Sequence, residues 1–282
     1  MEEKLAVILV TYNNISDVNN CLKSIYNFNT IGDRLEVIVI DNSPNNNLYE
    51  YIQRKFSSVK IYKNDNRGFG EGNNRGVDKT EAKYLLFLNP DTIIIEDIFD
   101  FAIRKFQSNN LLGMFGLQLI DSNGKKNQSF NYIPINLYTL ATGKIKNKLG
   151  FFNKNKMYIT GANIFIRKEL FEKVGMFDEN IFMYYEEKDL CRRISNTKYQ
   201  IKFFKNKRII HLEGKSSLNL EKDNILIKSH KYYCNKHHIS FKKEVVSEIR
   251  YLKIKKILTF NNDKKKNIKN RIIFLNKNIL ED

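Results

Sequence analysis

The chain has 282 residues, 42% of them hydrophobic, and a formal net charge of +17. That size suits one large domain, or one domain with an appendage. No apolar run reaches the roughly 18 residues that a membrane-spanning helix needs, and the start of the chain lacks the basic segment and cleavage site of a signal peptide. The three cysteines are odd in number and widely separated. They match neither a disulfide framework nor a zinc site, so we expect a cytoplasmic protein.

Residues 5–88 alternate between predicted strands and predicted helices. Short continuous apolar runs indicate buried parallel strands, and apolar residues at helical spacing indicate helices. In chain order we expect a strand over 5–10, a helix capped by Ser16 and Asp17, a strand over 35–40, a helix over 48–56, a strand over 59–62, a glycine-rich connection over 66–76 and a strand over 84–88. This alternation predicts a doubly wound α/β sheet. Ligands of such sheets bind beyond the carboxyl ends of the strands.

The pattern loosens after residue 98, and a turn at 121–124 follows the next predicted strand. The polar, lysine-rich and poorly periodic residues 125–156 predict a flexible loop that orders on substrate binding. The remaining predicted elements are a helix over 98–107, strands over 111–120, 158–166, 200–204 and 208–211, a helix over 187–195, and helices from residue 222 onward.

Polar residues follow several of the predicted strands. Asp91 comes directly after Asn89-Pro90 at the end of the strand over 84–88. A carboxylate in that place can bind a divalent cation that bridges two phosphates, although Asn-Pro-Asp is also a common turn sequence. Asp41, after the second strand, can accept a hydrogen bond from a base or a ribose, or cap a turn beside Pro44.

The segment 66–76 contains four glycines and three asparagines. Glycine lets the backbone approach a ligand closely and adopt a positive φ, so we interpret the segment as a ligand-binding connection rather than a glycine-weakened helix. It matches neither the dinucleotide fingerprint nor the phosphate-binding P-loop. No Lys-Ser or Lys-Thr follows it, which excludes an ATPase of the P-loop kind.

Three acids, Glu186, Glu187 and Asp189, crowd together at a predicted helix start. The positive end of a helix favours carboxylates, but capping needs only one of them. A carboxylate beside a sugar hydroxyl can act as a general base. His211, which follows a short predicted strand, is a candidate metal or phosphate ligand.

In order along the chain, these segments resemble family 2 glycosyltransferases of the GT-A fold, especially the rhamnosyltransferase-like bacterial group. The resemblance covers roughly residues 4–240. Its motifs lie at 7–13, 39–43, 66–70, 88–91, 161–162, 175–179 and 185–190, together with His211. It implies an α/β GT-A fold, a Rossmann-like nucleotide-binding sheet, with a helical C-terminal extension. The expected organisation is a glycosyltransferase domain over 1–220, with a nucleotide-binding half over 1–95 and an acceptor-binding half over 96–220, followed by a basic helical extension over 221–282.

The resemblance also implies roles for single residues. Asp91 and His211 would hold Mg²⁺ or Mn²⁺ against the diphosphate. Glu187 would be the general base, with Asp189 as the reserve candidate, and Glu186 would orient the acceptor. The implied contacts to the nucleotide are Thr11, Tyr12, Asp41, Asn66, Arg67, Gly68, Asn73 and Asn89.

Two departures from the family's pattern stand out. The metal motif usually has two aspartates, whereas here Asn89-Pro90 precedes Asp91. The base position usually holds an aspartate, and Glu187 is longer by one methylene.

The implied function is inverting transfer of one sugar, with rhamnose as the first candidate, from a dTDP- or UDP-linked donor. The acceptor would be a saccharide or a lipid-linked saccharide in cell-surface polysaccharide assembly, such as O-antigen or capsule. The chain contains no tryptophan, so it lacks the Gln-x-x-Arg-Trp motif of processive synthases.

Basic residues interleaved with apolar ones over 241–278 predict peripheral docking on the anionic inner face of the cell membrane. We expect no nucleic-acid partner. Two alternatives remain: a catalytically inactive partner subunit with the same fold, and a basic nucleic-acid-binding protein, which would leave the acidic cluster unexplained.

Overall fold

The structure is a computed structural model that describes residues 3–133, 136–212 and 220–280. Within these ranges the chain forms ten strands, ten α-helices and one short 3₁₀-helix at Gly32–Arg34. The strands are β1 (Leu5–Thr11), β2 (Leu35–Asp41), β3 (Lys60–Lys63), β4 (Tyr84–Leu88), β5 (Thr92–Ile94), β6 (Leu112–Ile120), β7 (Phe130–Tyr132), β8 (Met157–Ile159), β9 (Asn163–Arg167) and β10 (Gln200–His211). The helices are α1 (Ile15–Asn27), α2 (Asn47–Lys55), α3 (Phe69–Val77), α4 (Phe99–Gln107), α5 (Leu137–Leu149), α6 (Lys168–Lys173), α7 (Glu186–Ser195), α8 (Leu220–Lys236), α9 (Phe241–Ile257) and α10 (Asn262–Leu280).

Eight of the strands form one mixed sheet in the order β3-β2-β1-β4-β9-β6-β10-β5. β1 pairs in parallel with β2 and with β4, as the alternation of strands and helices predicts. β9 is antiparallel to β4 and β6, and β5 is antiparallel to β10. The predicted α/β sheet is therefore present, with two antiparallel strands added to its parallel part.

The continuous apolar run of β1 is explained by the two cores that the sheet separates. Val7 and Leu9 belong to the core that α1, α2 and α4 cover. Ile8 and Val10 point the other way, into the core built with α3, α6 and α7. Because side chains alternate along a strand, a strand buried on both faces must be apolar at every position.

The last three helices share a third, smaller core. Tyr233 of α8, Val245 of α9 and Leu275 of α10 are buried in it, and Tyr185 of the main domain packs against it. The helices predicted from residue 222 onward are therefore confirmed. No described helix is both long enough and apolar enough to cross a membrane.

The interpretation of residues 66–76 as a connection was wrong for most of its length, because α3 begins at Phe69. The glycines bring this helix close to the sheet. A Cβ on Gly72 would lie 2.8 Å from Val10, and one on Gly76 would lie 2.4 Å from Ile8. Both distances are shorter than real side chains tolerate, so glycine here permits close helix packing and does not break the helix.

The flexible loop predicted over 125–156 was also wrong. The segment contains β7 and α5, and Asn136 and Thr139 form a reciprocal capping box at the start of α5. α6 and β5 were not predicted. The single strand predicted over 158–166 is divided into β8 and β9, whereas the two predicted over 200–211 are one irregular strand, β10. α1 is capped by the side chain of Asn14 rather than by Ser16 or Asp17.

Candidate active site

A cleft of about 870 Å³ lies beyond the carboxyl end of β4, beside the start of α7. It collects polar side chains that are far apart in the sequence. Among the residues that line it are Asn89, Asp91, Gly161, Glu186, Glu187 and His211. The structure thus brings the two predicted cation ligands and the predicted general base into one cleft.

Asp91 and His211 meet because β5 pairs with β10. The antiparallel register places His211 opposite Thr92, the residue after Asp91. The His211 Nε2 atom lies 3.2 Å from the Asp91 Oδ1 atom, and the backbone N–H of Leu212 donates to the Asp91 carbonyl at 3.0 Å. Two neighbouring strands therefore fix a carboxylate and an imidazole side by side.

This pair of side chains fits a divalent cation. Carboxylate oxygen is the ligand that Mg²⁺ and Mn²⁺ prefer, and imidazole adds a nitrogen ligand. Both side chains are partly exposed in the cleft, at 19% for Asp91 and 16% for His211. An ion held by both would still have room for ligands from a bound phosphate.

Glu186 and Glu187 form the start of α7 and follow an unusual turn. Tyr184 and Tyr185 both have left-handed backbone, with φ of 67° and 78°, a conformation that non-glycine residues rarely adopt. One carboxylate oxygen, Oε2, of each glutamate is buried without a hydrogen-bond partner among the described residues. The turn therefore presents two acids that each have one carboxylate oxygen without a hydrogen bond from the described part of the chain.

The surroundings of these two acids favour their neutral forms. Burial, reinforced by the charge of Glu187, raises the pKa of Glu186 well above its usual value. Burial also raises the pKa of Glu187, against the opposing effects of backbone hydrogen bonds at Glu187 and Gly161 and of the nearby Lys188 charge. A carboxylate in this setting gains stability when it accepts a proton.

Asp189 points away from the cleft, although it lies only two residues after Glu187. Its buried carboxylate contacts Arg193 at 2.7 Å, Lys236 at 2.8 Å and His237 at 2.7 Å. The structure therefore does not bring this predicted reserve base to the cleft. It makes Asp189 the centre of an ionic network between α7 and α8.

A second cleft, of about 550 Å³, lies at the ends of β2 and β3. Tyr12 and Asn66, two of the predicted nucleotide contacts, line it, and the sequence reasoning missed Lys63 and Arg75 beside them. Lys63 ends β3, so the same strand-end rule that selected Asp41 would have found it.

Asp41 does not line this cleft. Its carboxylate is fully buried and contacts the Lys63 Nζ atom at 3.1 Å and the Ser43 backbone N–H at 2.9 Å. Arg67 is largely exposed, and its Nη2 atom lies 3.9 Å from the Asp65 Oδ2 atom.

Asn89 lines the larger cleft, and the remaining predicted nucleotide contacts, Thr11, Gly68 and Asn73, are buried beside or at the start of α3. The Thr11 Oγ1 and Asn73 Oδ1 atoms are buried without hydrogen-bond partners among the described residues. Gly68 has a φ of 113°, and a Cβ there would lie 2.1 Å from the Phe182 carbonyl oxygen. The structure thus gives Gly68 a packing role, since only glycine allows the loop before α7 to approach α3 so closely.

The larger cleft also contains residues that sequence reasoning missed. Gln128 comes from the segment that was interpreted as a flexible loop, and Lys222 comes from α8. Asn14, Asp17, Thr160 and Tyr184 also contribute polar groups to the lining. No local pattern indicates Lys222, because only the packing of α8 brings it to the cleft.

The sequence of this chain is similar to those of known glycosyltransferases. The family model for glycosyl transferase family 2 matches residues 6–175. The low-salt glycan biosynthesis hexosyltransferase Agl10 of Haloferax volcanii is 27% identical over 206 residues, and the alignment covers 68% of this chain and 62% of that relative. The rhamnosyltransferase WbbL of Escherichia coli is 25% identical over 207 residues, with coverage of 67% of this chain and 76% of that relative.

A solved structure extends the likeness to the fold. The mannosyltransferase PcManGT from Pyrobaculum calidifontis, in complex with GDP-Man and Mn²⁺, aligns with a TM-score of 0.59. The alignment covers 98% of this chain and 70% of that chain at 13% identity. At that identity the likeness shows the fold alone, and the predicted GT-A fold with a helical C-terminal region is confirmed.

Proposed function

The chain belongs to glycosyl transferase family 2, and on that premise we propose that it moves one sugar from a nucleoside diphosphate sugar to an acceptor hydroxyl with inversion. One observation carries the proposal. A single cleft contains the Asp91–His211 pair and the Glu187 carboxylate, which has a buried oxygen without a partner. Such an arrangement can place a phosphate group and a hydroxyl group next to each other.

Each group has a distinct task in this proposal. Asp91 and His211 would hold Mg²⁺ or Mn²⁺, which when bound supplies positive charge against the departing nucleoside diphosphate. Glu187 accepts the proton of the acceptor hydroxyl at its Oε2 atom while the hydroxyl attacks the anomeric carbon. Glu186, one residue earlier on the same turn, orients the acceptor sugar. The nucleoside occupies the smaller cleft, beside Tyr12 and Asn66.

The contacts of the two candidate bases support Glu187 over Asp189. Three cationic or imidazole groups surround Asp189 and stabilise its charge, and it is absent from the lining of the cleft. Glu187 lines the cleft, and burial raises its pKa. A base that must accept a proton gains from that setting.

Rhamnose from a dTDP- or UDP-linked donor remains the first candidate for the sugar. The Escherichia coli relative is a rhamnosyltransferase by name, and the Haloferax relative is a hexosyltransferase. We propose a saccharide or lipid-linked acceptor in cell-surface polysaccharide assembly. The cleft, with its intact acids, argues against the alternative of an inactive partner subunit.

Thermal unfolding with a panel of nucleotide sugars tests the donor. dTDP-rhamnose, UDP-glucose, UDP-N-acetylglucosamine and GDP-mannose are each added with and without Mn²⁺. A donor at about 100 times its Kd stabilises the protein by about 2.7 kcal/mol, and we expect a matching rise in Tm only with Mn²⁺. Asp91→Asn should abolish the Mn²⁺ dependence, whereas Glu172→Gln, an exposed acid on α6, should not. No rise with any donor would contradict the proposal.

The second part of the proposal is that the protein docks on anionic membrane through the tip formed by the end of α9, residues 258–261 and the start of α10. This tip, hereafter the α9–α10 tip, exposes apolar side chains: Ile257 is 79% exposed, Leu258 71% and Phe260 94%. Residues 241–280 hold twelve basic and three acidic residues, a net charge of +9. Exposed apolar groups within a basic segment are what an anionic leaflet attracts and then partly buries.

The positive charge of this segment favours an anionic lipid surface as the partner of the α9–α10 tip. Binding of the full chain to lipid vesicles tests this proposal. The triple variant Ile257→Ser/Leu258→Ser/Phe260→Ser should bind vesicles containing phosphatidylglycerol at least about tenfold more weakly, since each buried side chain contributes about 1.5–3 kcal/mol. Leu111→Ser, at an exposed apolar residue of the main domain, is the matched control. Equal binding of all three proteins would refute this docking surface. Tight binding to nucleic acid instead, in a salt-dependent filter assay, would favour the alternative partner.

A further inference from the structure

We propose that a buried charged cluster of Lys188, His230 and Glu244 is a positioning device, which holds the turn that presents Glu186 and Glu187 to the cleft. The three residues come from α7, α8 and α9, so the C-terminal helices would be part of the active-site support as well as a docking surface. This inference rests on the proposed function of the cleft.

The turn before α7 needs such a support. Tyr184 and Tyr185 are consecutive residues with left-handed backbone. Non-glycine residues persist in that region only where the surrounding structure leaves them no alternative. Since Glu186 and Glu187 follow at once, any relaxation of this turn would move both acids.

Helix α8 contacts the turn directly. The Tyr185 ring stacks on the His230 ring, with centroids 4.9 Å apart and an angle of 18° between the planes. Tyr233, one turn further along α8, lies 5.3 Å from the same tyrosine ring. The Ser229 hydroxyl donates to the Met183 carbonyl at 2.7 Å. The left-handed turn is therefore held on its outer side by three successive contacts from one helix.

Lys188 connects the turn to α9. Its side chain is 2% exposed, and its Nζ atom lies 3.7 Å from the Glu244 Oε2 atom. The same ammonium group lies 4.7 Å from the centre of the Tyr185 ring and 4.5 Å from that of Tyr233. The His230 Nε2 atom lies 2.9 Å from Glu244 Oε2. Glu244 thus joins the lysine of α7 to the histidine of α8.

The buried charges give the arrangement its specificity. A buried ion without its partner is strongly unfavourable, so Lys188 must stay where Glu244 and the two rings can stabilise it. A purely apolar contact between the helices could shift slightly with little loss of free energy. The Lys188 Nζ atom has no hydrogen-bond partner among the described residues. Its position therefore depends on the Glu244 charge and the two rings, which together fix where the first turn of α7 begins.

Metal binding is the competing explanation of this cluster. His230, Cys234 and Glu244 offer ligand atoms that all lie within 4.8 Å of one another. A cation at this point would face the Lys188 ammonium group across Glu244, and like charges repel. We therefore assign the positive charge of the cluster to Lys188.

Two substitutions of the same kind, one helical turn apart on α9, test the proposal. Glu244→Gln removes the carboxylate partner of Lys188. Glu248→Gln removes one of the two carboxylate partners of Arg271, which lies 3.2 Å away on α10 and keeps its contact with Asp223. Hydrogen exchange of the amides in 183–190 is measured on the full chain. We expect about tenfold faster exchange for Glu244→Gln and no change there for Glu248→Gln.

Activity supplies the second measurement. Displacement of the acids by about 1 Å should lower kcat by about 10²-fold, while the KM for the donor selected by the thermal panel stays within about twofold of the native value. The double variant Lys188→Met/Glu244→Met removes both charges and so avoids an unpaired buried ion. We expect it to recover the native Tm but not the native kcat.

Three outcomes would overturn the proposal. The first is unchanged hydrogen exchange over 183–190 in Glu244→Gln. The second is recovery of kcat together with Tm in the double variant. The third is one equivalent of zinc in the purified protein, if removal of that zinc by a chelator speeds the exchange over 183–190. If the native chain transfers no sugar, the proposed function fails, and the exchange result still decides the positioning role.

Discussion

The first turn of α7 carries acids on two sides, and the contrast between them is instructive. Glu186 and Glu187 are buried against the cleft, each with a carboxylate oxygen that lacks a hydrogen-bond partner among the described residues. Asp189, on the other side, is surrounded by Arg193, Lys236 and His237. One helical turn thus gives its acids two different settings, because cationic side chains contact the Asp189 carboxylate whereas burial raises the pKa of Glu186 and Glu187.

The largest expected effect is a difference in kcat between substitutions on the two sides of the turn. Glu187→Gln should lower kcat by about 10²–10⁴-fold, since in the proposed mechanism Glu187 accepts the proton of the acceptor hydroxyl, while Tm stays at or above the native value. Asp189→Asn should retain measurable turnover at temperatures where it is folded. Full transfer by Glu187→Gln, together with an inactive but folded Asp189→Asn, would reverse the assignment.

The same two sides should differ in stability. Asp189→Asn leaves Arg193 and Lys236 near each other without the carboxylate that they share. Breaking a buried ion pair in this way costs about 3–5 kcal/mol. Urea denaturation measures the loss, with Glu187→Gln as the matched substitution on the cleft side. A loss below about 1 kcal/mol would show that solvent compensates the cations.

A smaller effect appears in the pH dependence of stability. Burial and the Glu187 charge raise the pKa of Glu186 in the folded state, so above the unfolded value of about 4.3 the native state holds a proton that the unfolded state has lost. The unfolding free energy should therefore fall as pH rises, by about 1.4 kcal/mol per pH unit, until the raised pKa is passed. Glu186→Gln should show a shallower slope, because of the two acids only Glu187 then keeps a raised pKa. Urea titrations between pH 5 and pH 8 compare the two, and parallel curves would contradict the expectation.

The smallest expected effect concerns the acid limb of the activity profile. Because burial raises the pKa of Glu187, kcat/KM should begin to fall at a higher pH than it would for an exposed glutamate. The charge of Lys188 opposes that rise, so Lys188→Met should move the limb further upward. We expect a shift of less than about one pH unit. A downward shift would show that Lys188 does not act on Glu187 through its charge.

Much of the sheet could be predicted from the sequence, because strands buried on both faces leave continuous apolar runs. β1, β2, β4 and β6 lie within one or two residues of their predicted bounds. α3 was missed since glycine usually weakens helices, and nothing local shows that Ile8 and Val10 require small residues opposite them. β5, with three residues, is too short to have a pattern.

Several residues of the candidate site could be selected from the sequence, but the contacts between them could not. Asp91 and His211 were each selected from their places after strands, but their contact depends on the pairing of β5 with β10. Glu187 and Asp189 could not be distinguished, because the side chains that contact Asp189 include Lys236 and His237, more than forty residues later in the chain. The role of Lys188 depends on Glu244 in the same way.

The pairing of β5 with β10 has a consequence for the order of events during synthesis. A nascent chain on the ribosome would expose Asp91 long before residue 211 has been added, and until then the carboxylate has no imidazole beside it. If Asp91 and His211 hold a divalent cation as proposed, that cation should bind only after β10 has paired with β5. A bound cation would then indicate that the domain has folded as far as β10. Chains that end before residue 211 should not retain the cation.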